Sequence, residues 1–255
     1  MSKAMKVWFI IAAFLIVFGF ILFVGVMAIY DFYDLHNFST MKYNTNTYEV
    51  NGAFDKISIN VDTTQIKFVP SDDESCRIVC FETEKMKHSA IVQNNTLIID
   101  IVDTRKWYDY IGISIGGPKM TVYLPQNEYA SLFIDTHTGD IAIPKDFTFE
   151  TLKINGNTAD VECLASVLDG IEIKLNTGNI KMDNVLAGEI RLACTTGKIN
   201  INSASSKGTI EIETNTGAVH LTDVACADFS AKSKTGTILL KNVVASNCFC
   251  IENNI

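Results

Sequence analysis

The sequence predicts an all-β fold, a parallel β-solenoid with about 19–20 residues per coil, preceded by one amino-terminal transmembrane helix. Three observations predict it. Residues Val7–Tyr30 contain no charge, a turn motif returns at near-constant spacing from residue 131 onward, and the segments flanking each turn alternate apolar and polar residues.

The helix comes first in the chain. Between Lys6 and Asp31 the run VWFIIAAFLIVFGFILFVGVMAIY spans about 36 Å at roughly 1.5 Å per residue, enough to cross a bilayer. A cleavable signal peptide has an apolar core of about 7–15 residues and a small-residue cleavage site. This run is longer and ends in Ile29, Tyr30, Phe32 and Tyr33, so it reads as retained. Lys3 and Lys6 precede it while Asp31 and Asp34 follow it. The positive-inside bias therefore places residues 1–6 in the cytoplasm, residues 7–30 across the plasma membrane, and the remainder in the extracytoplasmic cell envelope. Residues 31–47 are polar, without a sustained period, and read as a tether.

Charge and cysteine usage narrow the function classes. The formal charge is −8 and the first thirty residues contribute +2, leaving −10 beyond them; nucleic acid is an unfavourable partner for such a surface. Seven cysteines all lie in this outer part, and an odd number cannot fully pair within one chain. They read as small buried hydrophobes.

Residues 131–255 hold the repeat. Its turns are centred on Gly139, Ala159, Gly178, Gly197, Gly217 and Gly236, spaced 20, 19, 19, 20 and 19 residues apart. Seven residues before each stand Leu132, Leu152, Ile171, Ile190, Ile210 and Phe229; two after stand Ile141, Val161, Ile180, Ile199, Val219 and Ile238. Twelve apolar residues drawn at random from a 47% apolar chain would occur about once in ten thousand draws, so the columns are not accidental. In IEIKL-NTG-NIKM the residues Ile171, Ile173, Leu175, Ile180 and Met182 face one way and Glu172, Lys174, Asn179 and Lys181 the other. Stacked coils bury the first set. Glycine suits a turn needing positive φ, and stacked Asn and Thr side chains can bond from coil to coil. Cys163 and Cys194 take inward positions, and Cys248 and Cys250 stand where Phe229 and Ala231 stand one coil earlier, as core filling.

Residues 48–130 carry shorter alternating runs, among them Ile57/Ile59/Val61, Ile66/Phe68, Cys76/Ile78/Cys80, Leu97/Ile99/Ile101 and Met120/Val122/Leu124. These read as strands that cap and continue the same stack. The segments FDKISINVDTTQIKFVPSD, NNTLIIDI, KMTVYLPQN and the TG-x-I-x-[IVLM] repeats make residues 48–250 resemble a bacterial family of adhesin-type, domain-of-unknown-function β-strand repeat proteins, which includes membrane proteins encoded beside envelope-stress regulators. Thr64-Gln65 stands where that family has a glycine-containing turn. The resemblance implies a right-handed, β-helix-like solenoid and no known catalytic residues.

The residues themselves carry little catalytic signal. His36, His88, His137 and His220 are scattered, without Ser/His/Asp or metal-ligand spacing. No C-x₂₋₄-C pair of zinc type occurs among Cys226, Cys248 and Cys250; no cofactor or metal is expected. Asp140 and Asp160 follow successive turns, about 5 Å apart if the coils stack, and could serve a polysaccharide-active β-helix enzyme. Asn179, Lys198, Ala218 and Thr237 continue that column, so no acidic ladder exists. The outward sets Glu172/Arg191/Glu211 and Lys174/Glu213/Lys232 alternate in sign and read as inter-strand charge matching.

The strongest binding candidate is Arg105, Lys106, Trp107, Tyr108 and Tyr110, aromatic and basic residues of the kind that anchor contacts; the same rings could instead cover the end of the stack. The expected function is a non-catalytic, membrane-anchored interaction or envelope-sensing module. Its partners would be the bilayer, through Val7 to Tyr30, and an envelope protein or cell-wall polymer. The alternatives are the polysaccharide-active enzyme and a self-assembling structural protein associating end to end through its last coil.

Overall fold

The computed structural model describes residues 3–29, 41–110 and 116–254. The helix and the β structure form separate compact units. The helix, α1, runs Lys3–Ile29, and within it Met5–Val26 is long and apolar enough to cross a membrane. Its side chains over residues 5–26 are exposed, and apolar groups occupy every face, which no water-facing surface helix shows. Tyr30 and residues 31–40 of the expected tether lie outside the described residues. The rest of that tether is corrected: Tyr43 to Thr47 belong to strand β1, Tyr43–Val50. Alternation resumes there and brings Tyr48 and Val50 against the core.

The β unit continues with β2 (Lys56–Thr63), β3 (Gln65–Pro70), β4 (Cys76–Thr83), β5 (Met86–Gln93), β6 (Thr96–Asp103), a 3₁₀ turn (Trp107–Tyr110) and β7 (Lys119–Leu124). The repeat region holds β8 (Glu128–Thr138), β9 (Ile141–Ile143), β10 (Thr148–Thr158), β11 (Val161–Cys163), β12 (Ser166–Thr177), β13 (Ile180–Ser206) and β14 (Thr209–Asn253), the last two turning corners without a break. Strand β8 straddles the boundary expected at 130/131.

Two parallel ladders build the β-solenoid-like stack. One runs β6, β2, β8, β10, β12, β13, β14; the other runs β7, β3, β9, β11, β13. The expected columns are real. Leu132 pairs with Leu152, Leu152 with Ile171, Ile171 with Ile190 and Ile190 with Ile210, all buried. On the second ladder Ile141 pairs with Val161, Val161 with Ile180 and Ile199 with Val219. Of the outward charge sets read from the sequence, Arg191 reaches Glu211 on the next coil at 3.8 Å; two further cross-coil pairs, Lys153 with Glu172 at 3.2 Å and Lys181 with Glu162 at 2.6 Å, were not among them.

The amino-terminal half only partly continues the stack. Coil β2–β3 sits between β6–β7 and β8–β9, so the chain passes beyond it and returns. Strands β1, β4 and β5 instead pair antiparallel: β4 with β1, β5 and β7, and β5 with β6. This hairpin carries hydrogen bonding from β6 round to β7 and covers that end of the parallel stack, which would otherwise present unpaired amides and carbonyls.

Glycine is required at the turns by backbone proximity as well as conformation. Gly178, Gly197 and Gly217 have φ of +135°, +149° and +151°, and a Cβ on each would lie 1.9, 1.7 and 1.7 Å from the carbonyl oxygen of Ala159, Gly178 and Gly197 respectively. Ala159 corrects the expectation of positive φ at all six turns, since it is absent from that region. A left-handed conformation is costly for a residue with a Cβ, and room for its methyl comes from Gly156, whose own Cβ would stand 3.3 Å from that of Ala159. A second left-handed corner was not read from the sequence. Asn184, Ser203, Asp223 and Asn242 have φ near +55°, and the Asp223 carboxylate accepts from Asn242 Nδ2 at 2.8 Å.

Cys163 and Cys194 are buried as expected, but Cys248 and Cys250 are exposed, correcting their reading as core filling. Leu239, Val244, Phe249 and Ile251 are exposed on the same coil, and Phe249 stacks on Phe229 at 4.9 Å.

A Gly217→Ala variant is expected to lose about 3 kcal/mol or more of unfolding free energy, through strain and a displaced coil. Gly117→Ala, where a Cβ meets nothing within 4 Å, should change it by less than about 0.5 kcal/mol. Urea unfolding followed by circular dichroism checks both.

Candidate functional site

The segment Arg105–Tyr110 is held from below by backbone and carboxylate bonds. Thr104 donates through its N–H to the Lys85 carbonyl at 2.8 Å. The Arg105 guanidinium forks onto Asp103, with Nη2 to Oδ2 at 2.6 Å. Lys106 N–H donates to Asp109 Oδ2 at 2.8 Å, and Lys85 pairs with Asp109 Oδ1. The bond from Lys85, then that from the Lys106 amide, hold the Asp109 carboxyl below the usual carboxylate range. On this frame Trp107 is 77% exposed and Tyr108 48% exposed, their rings edge to face at 5.8 Å. Exposed to this degree, the two rings do not cover the end of the stack. The side chain of Tyr110 lies outside the described residues.

Two clefts follow the repeat. A groove of about 510 Å³ crosses five coils and is lined by Asp135, His137, Asn157, Lys174 and Glu213, among others. Its floor is a polar ladder in which Asn157 Nδ2 lies 3.3 Å from His137 Nε2 and Asn176 Nδ2 donates to Asn157 Oδ1 at 2.7 Å. A second cleft of about 420 Å³ contains Asp140, Asp160 and Lys119. Asp140 and Asp160 stand on adjacent coils as expected, and one oxygen of each is engaged. Asp140 Oδ1 accepts from the Asp160 N–H at 3.2 Å, and Asp160 Oδ1 accepts from Asn179 N–H and Nδ2 at 2.7 and 2.9 Å. His220 is half-buried between buried Val219 and Leu221.

The structure also assembles a polar cluster that the sequence reading missed. Inward alternation on β4 runs Cys76, Ile78, Cys80 and then Glu82, and on β5 Met86 and then His88, all buried. The Glu82 carboxylate accepts from Tyr48 Oη at 2.5 Å and Asn46 Nδ2 at 2.7 Å through Oε1. Its Oε2 accepts from the His88 N–H at 2.6 Å and lies 2.7 Å from His88 Nδ1. His88 Nε2 meets Thr64 Oγ1 at 3.2 Å. Burial pushes the Glu82 carboxyl upward, but the bonds from Tyr48, Asn46 and His88 together outweigh it and hold it below its ordinary value. Burial, then Glu82, push the Cys80 thiol up to about 12. The available signal was the alternation itself, which carries a Glu and a His onto the core face.

A mostly β protein with one amino-terminal apolar helix, a solenoid-like stack and an exposed aromatic turn is the class these features define. The profile of the Toastrack DUF4097 family matches residues 54–213, more than half of the chain, and the chain belongs to that family. No curated protein matches it. Similar solved structures include a "putative adhesin" from Bacteroides fragilis, at 16% identity and TM-score 0.45, covering 83% of this chain and 97% of that one. Another "putative adhesin", from Parabacteroides distasonis, has 13% identity and TM-score 0.46, covering 84% and 98%. A "putative lipid binding protein" from the same organism has 16% identity and TM-score 0.46, covering 82% and 96%.

Glu82→Ala, which strands four donors around a buried space, should cost about 3–5 kcal/mol of stability. Trp107→Ala should change stability by about 0.5 kcal/mol or less. Denaturant midpoints of the two variants measure this contrast.

Proposed function

We propose that this protein is a non-catalytic interaction module, anchored in the plasma membrane by Val7 to Tyr30 with its amino terminus cytoplasmic and its β domain outside, where it engages an envelope protein or a cell-wall polymer. The observation that carries the binding role is the Trp107–Tyr108 pair, two exposed rings on a turn fixed by Asp103, Asp109 and Lys85. Large aromatic groups left in water on a pre-ordered frame bind with little further loss of side-chain freedom. The negative outer charge favours a neutral or basic partner. Anchoring is supported by the apolar circumference of α1, and orientation by Lys3 and Lys6 set against Asp31 and Asp34.

In the longer groove, catalysis is disfavoured by the spacing of the carboxylates. Asp135 and Glu213, in the longer groove, stand four ladder steps apart, about 19 Å at roughly 4.8 Å per step. Glycosidase carboxylate pairs stand about 5–9.5 Å apart. A second reading, a polysaccharide-active enzyme, is favoured by the cleft holding Asp140, Asp160 and Lys119. Release of reducing ends from wall polymers, lost in both Asp140→Ala and Asp160→Ala, would replace the first reading with this one.

Orientation is checked by thiol labelling. A membrane-impermeant maleimide should modify the exposed Cys248 and Cys250 in cells whose plasma membrane is intact; modification only after lysis contradicts the proposed topology. For binding, crosslinking and pull-down from membranes should recover a partner with the native chain and at least tenfold less with Trp107→Ala/Tyr108→Ala. Equal recovery by a folded double variant removes the aromatic turn from the interface.

A further inference from the structure

We propose that Cys80, Glu82 and His88 form a site for one divalent transition-metal cation of the zinc type, built into the antiparallel end of the stack. Each offers one ligand atom, and these lie within 4.8 Å of one another. All three residues are buried. Two come from successive inward positions of β4 and the third from the strand across its hairpin, so the arrangement is set by backbone register and not by mobile loops.

Three features fit such an ion. The first is charge: a Cys thiolate and a Glu carboxylate cancel a divalent cation, so the loaded site is neutral where an isolated charge would be costly. The second is ligand type. Thiolate, imidazole and carboxylate together suit zinc, cobalt or ferrous ions, whereas calcium and magnesium take oxygen ligands. The third is the ring of supporting bonds. Tyr48 and Asn46 hold Glu82 Oε1, while Oε2, which accepts from the His88 N–H, is the oxygen beside His88 Nδ1 that the ion would share, and Thr64 Oγ1 stands beside His88 Nε2, ready to accept its proton when Nδ1 binds. Such partners orient metal ligands and typically raise affinity 10- to 100-fold.

Loading requires a small movement. His88 Nδ1 and Glu82 Oε2 are 2.7 Å apart, whereas two ligands at about 2.0–2.1 Å from a tetrahedral ion stand roughly 3.3 Å apart. A modest side-chain rotation opens that gap. In the binding step the cation takes the Cys80 sulfur and the thiol proton goes to solvent; the imidazole proton leaves Nδ1, which it shares with Glu82, for Nε2 beside Thr64 Oγ1, and Nδ1 binds the cation through the freed lone pair. The Thr64–His88–Glu82 line also has the order of a hydrolytic triad, but Thr64 is 1% exposed, which bars a substrate carbonyl from it.

The test uses the full chain in detergent, stripped with chelator, in a Cys248→Ser/Cys250→Ser background that removes the exposed thiols. Co²⁺ should bind at one equivalent with intense thiolate-to-metal absorption in the near ultraviolet, and Zn²⁺ should displace it. Cys80→Ser should abolish that absorption, and Tyr48→Phe should weaken Co²⁺ binding at least tenfold. Zn²⁺ should raise the thermal midpoint of the background protein but not of Cys80→Ser. No thiolate–cobalt absorption in the background protein, or its persistence in Cys80→Ser, overturns the proposal. If Cys80→Ser does not fold, the thermal shift by Zn²⁺ in the background protein, compared with His88→Gln, decides it: equal shifts overturn it.

Discussion

The close parallel approach of backbones at the coil corners is the constraint on which the rest of the molecule depends. At Gly197 and Gly217 the carbonyl of the preceding coil occupies the place where a Cβ would stand. Strands separated by about 4.8 Å leave no alternative to glycine there, unless a neighbouring residue gives way as Gly156 does for Ala159. Once the corners are set, every position in one coil faces its equivalent in the next. Ile171, Ile190 and Ile210 then pile into a column, while Asn157 and Asn176 form a polar ladder outside. One repeat cannot bury its own apolar face, so stability resides in contacts between coils.

A stack of this kind needs an end. Here β4 and β5 turn antiparallel and close β6 onto β7, which removes unpaired edge groups. The same turn carries Glu82 and His88 onto the inward face. A buried carboxylate is tolerable only with its lone pairs occupied, and Tyr48, Asn46 and the His88 amide occupy them. Among the described residues Glu82 and His88 are the buried members of the Asp, Glu, Lys, Arg and His types, and both belong to the antiparallel end.

On the outside, many polar groups of the solenoid serve the stack itself. Asp160 bonds the next coil's amide, Glu162 pairs with Lys181, and Glu172 pairs with Lys153. Trp107 and Tyr108 stand outside this arrangement, on a turn between β6 and β7 that interrupts the repeat. Loops carried on a β frame are where binding residues concentrate, and this turn carries two exposed rings above the bonds of Lys85 to Asp109 and Arg105 to Asp103.

The chain's own residue order was sufficient for the helix, the 19- or 20-residue coil, the inward columns and the glycine corners, because each is written as a local period. Leu132 through Phe229 can be aligned without knowing any contact. The exposure of Trp107, the left-handed corner at Asn184, and the insertion of β2–β3 between β6–β7 and β8–β9 were decided only by tertiary structure, since each depends on which segments become neighbours. The same holds for Tyr48, Thr64, Glu82 and His88. They are spread over three strands and a turn, so no spacing rule joins them, and only hairpin register and coil stacking bring their polar atoms within hydrogen-bonding distance.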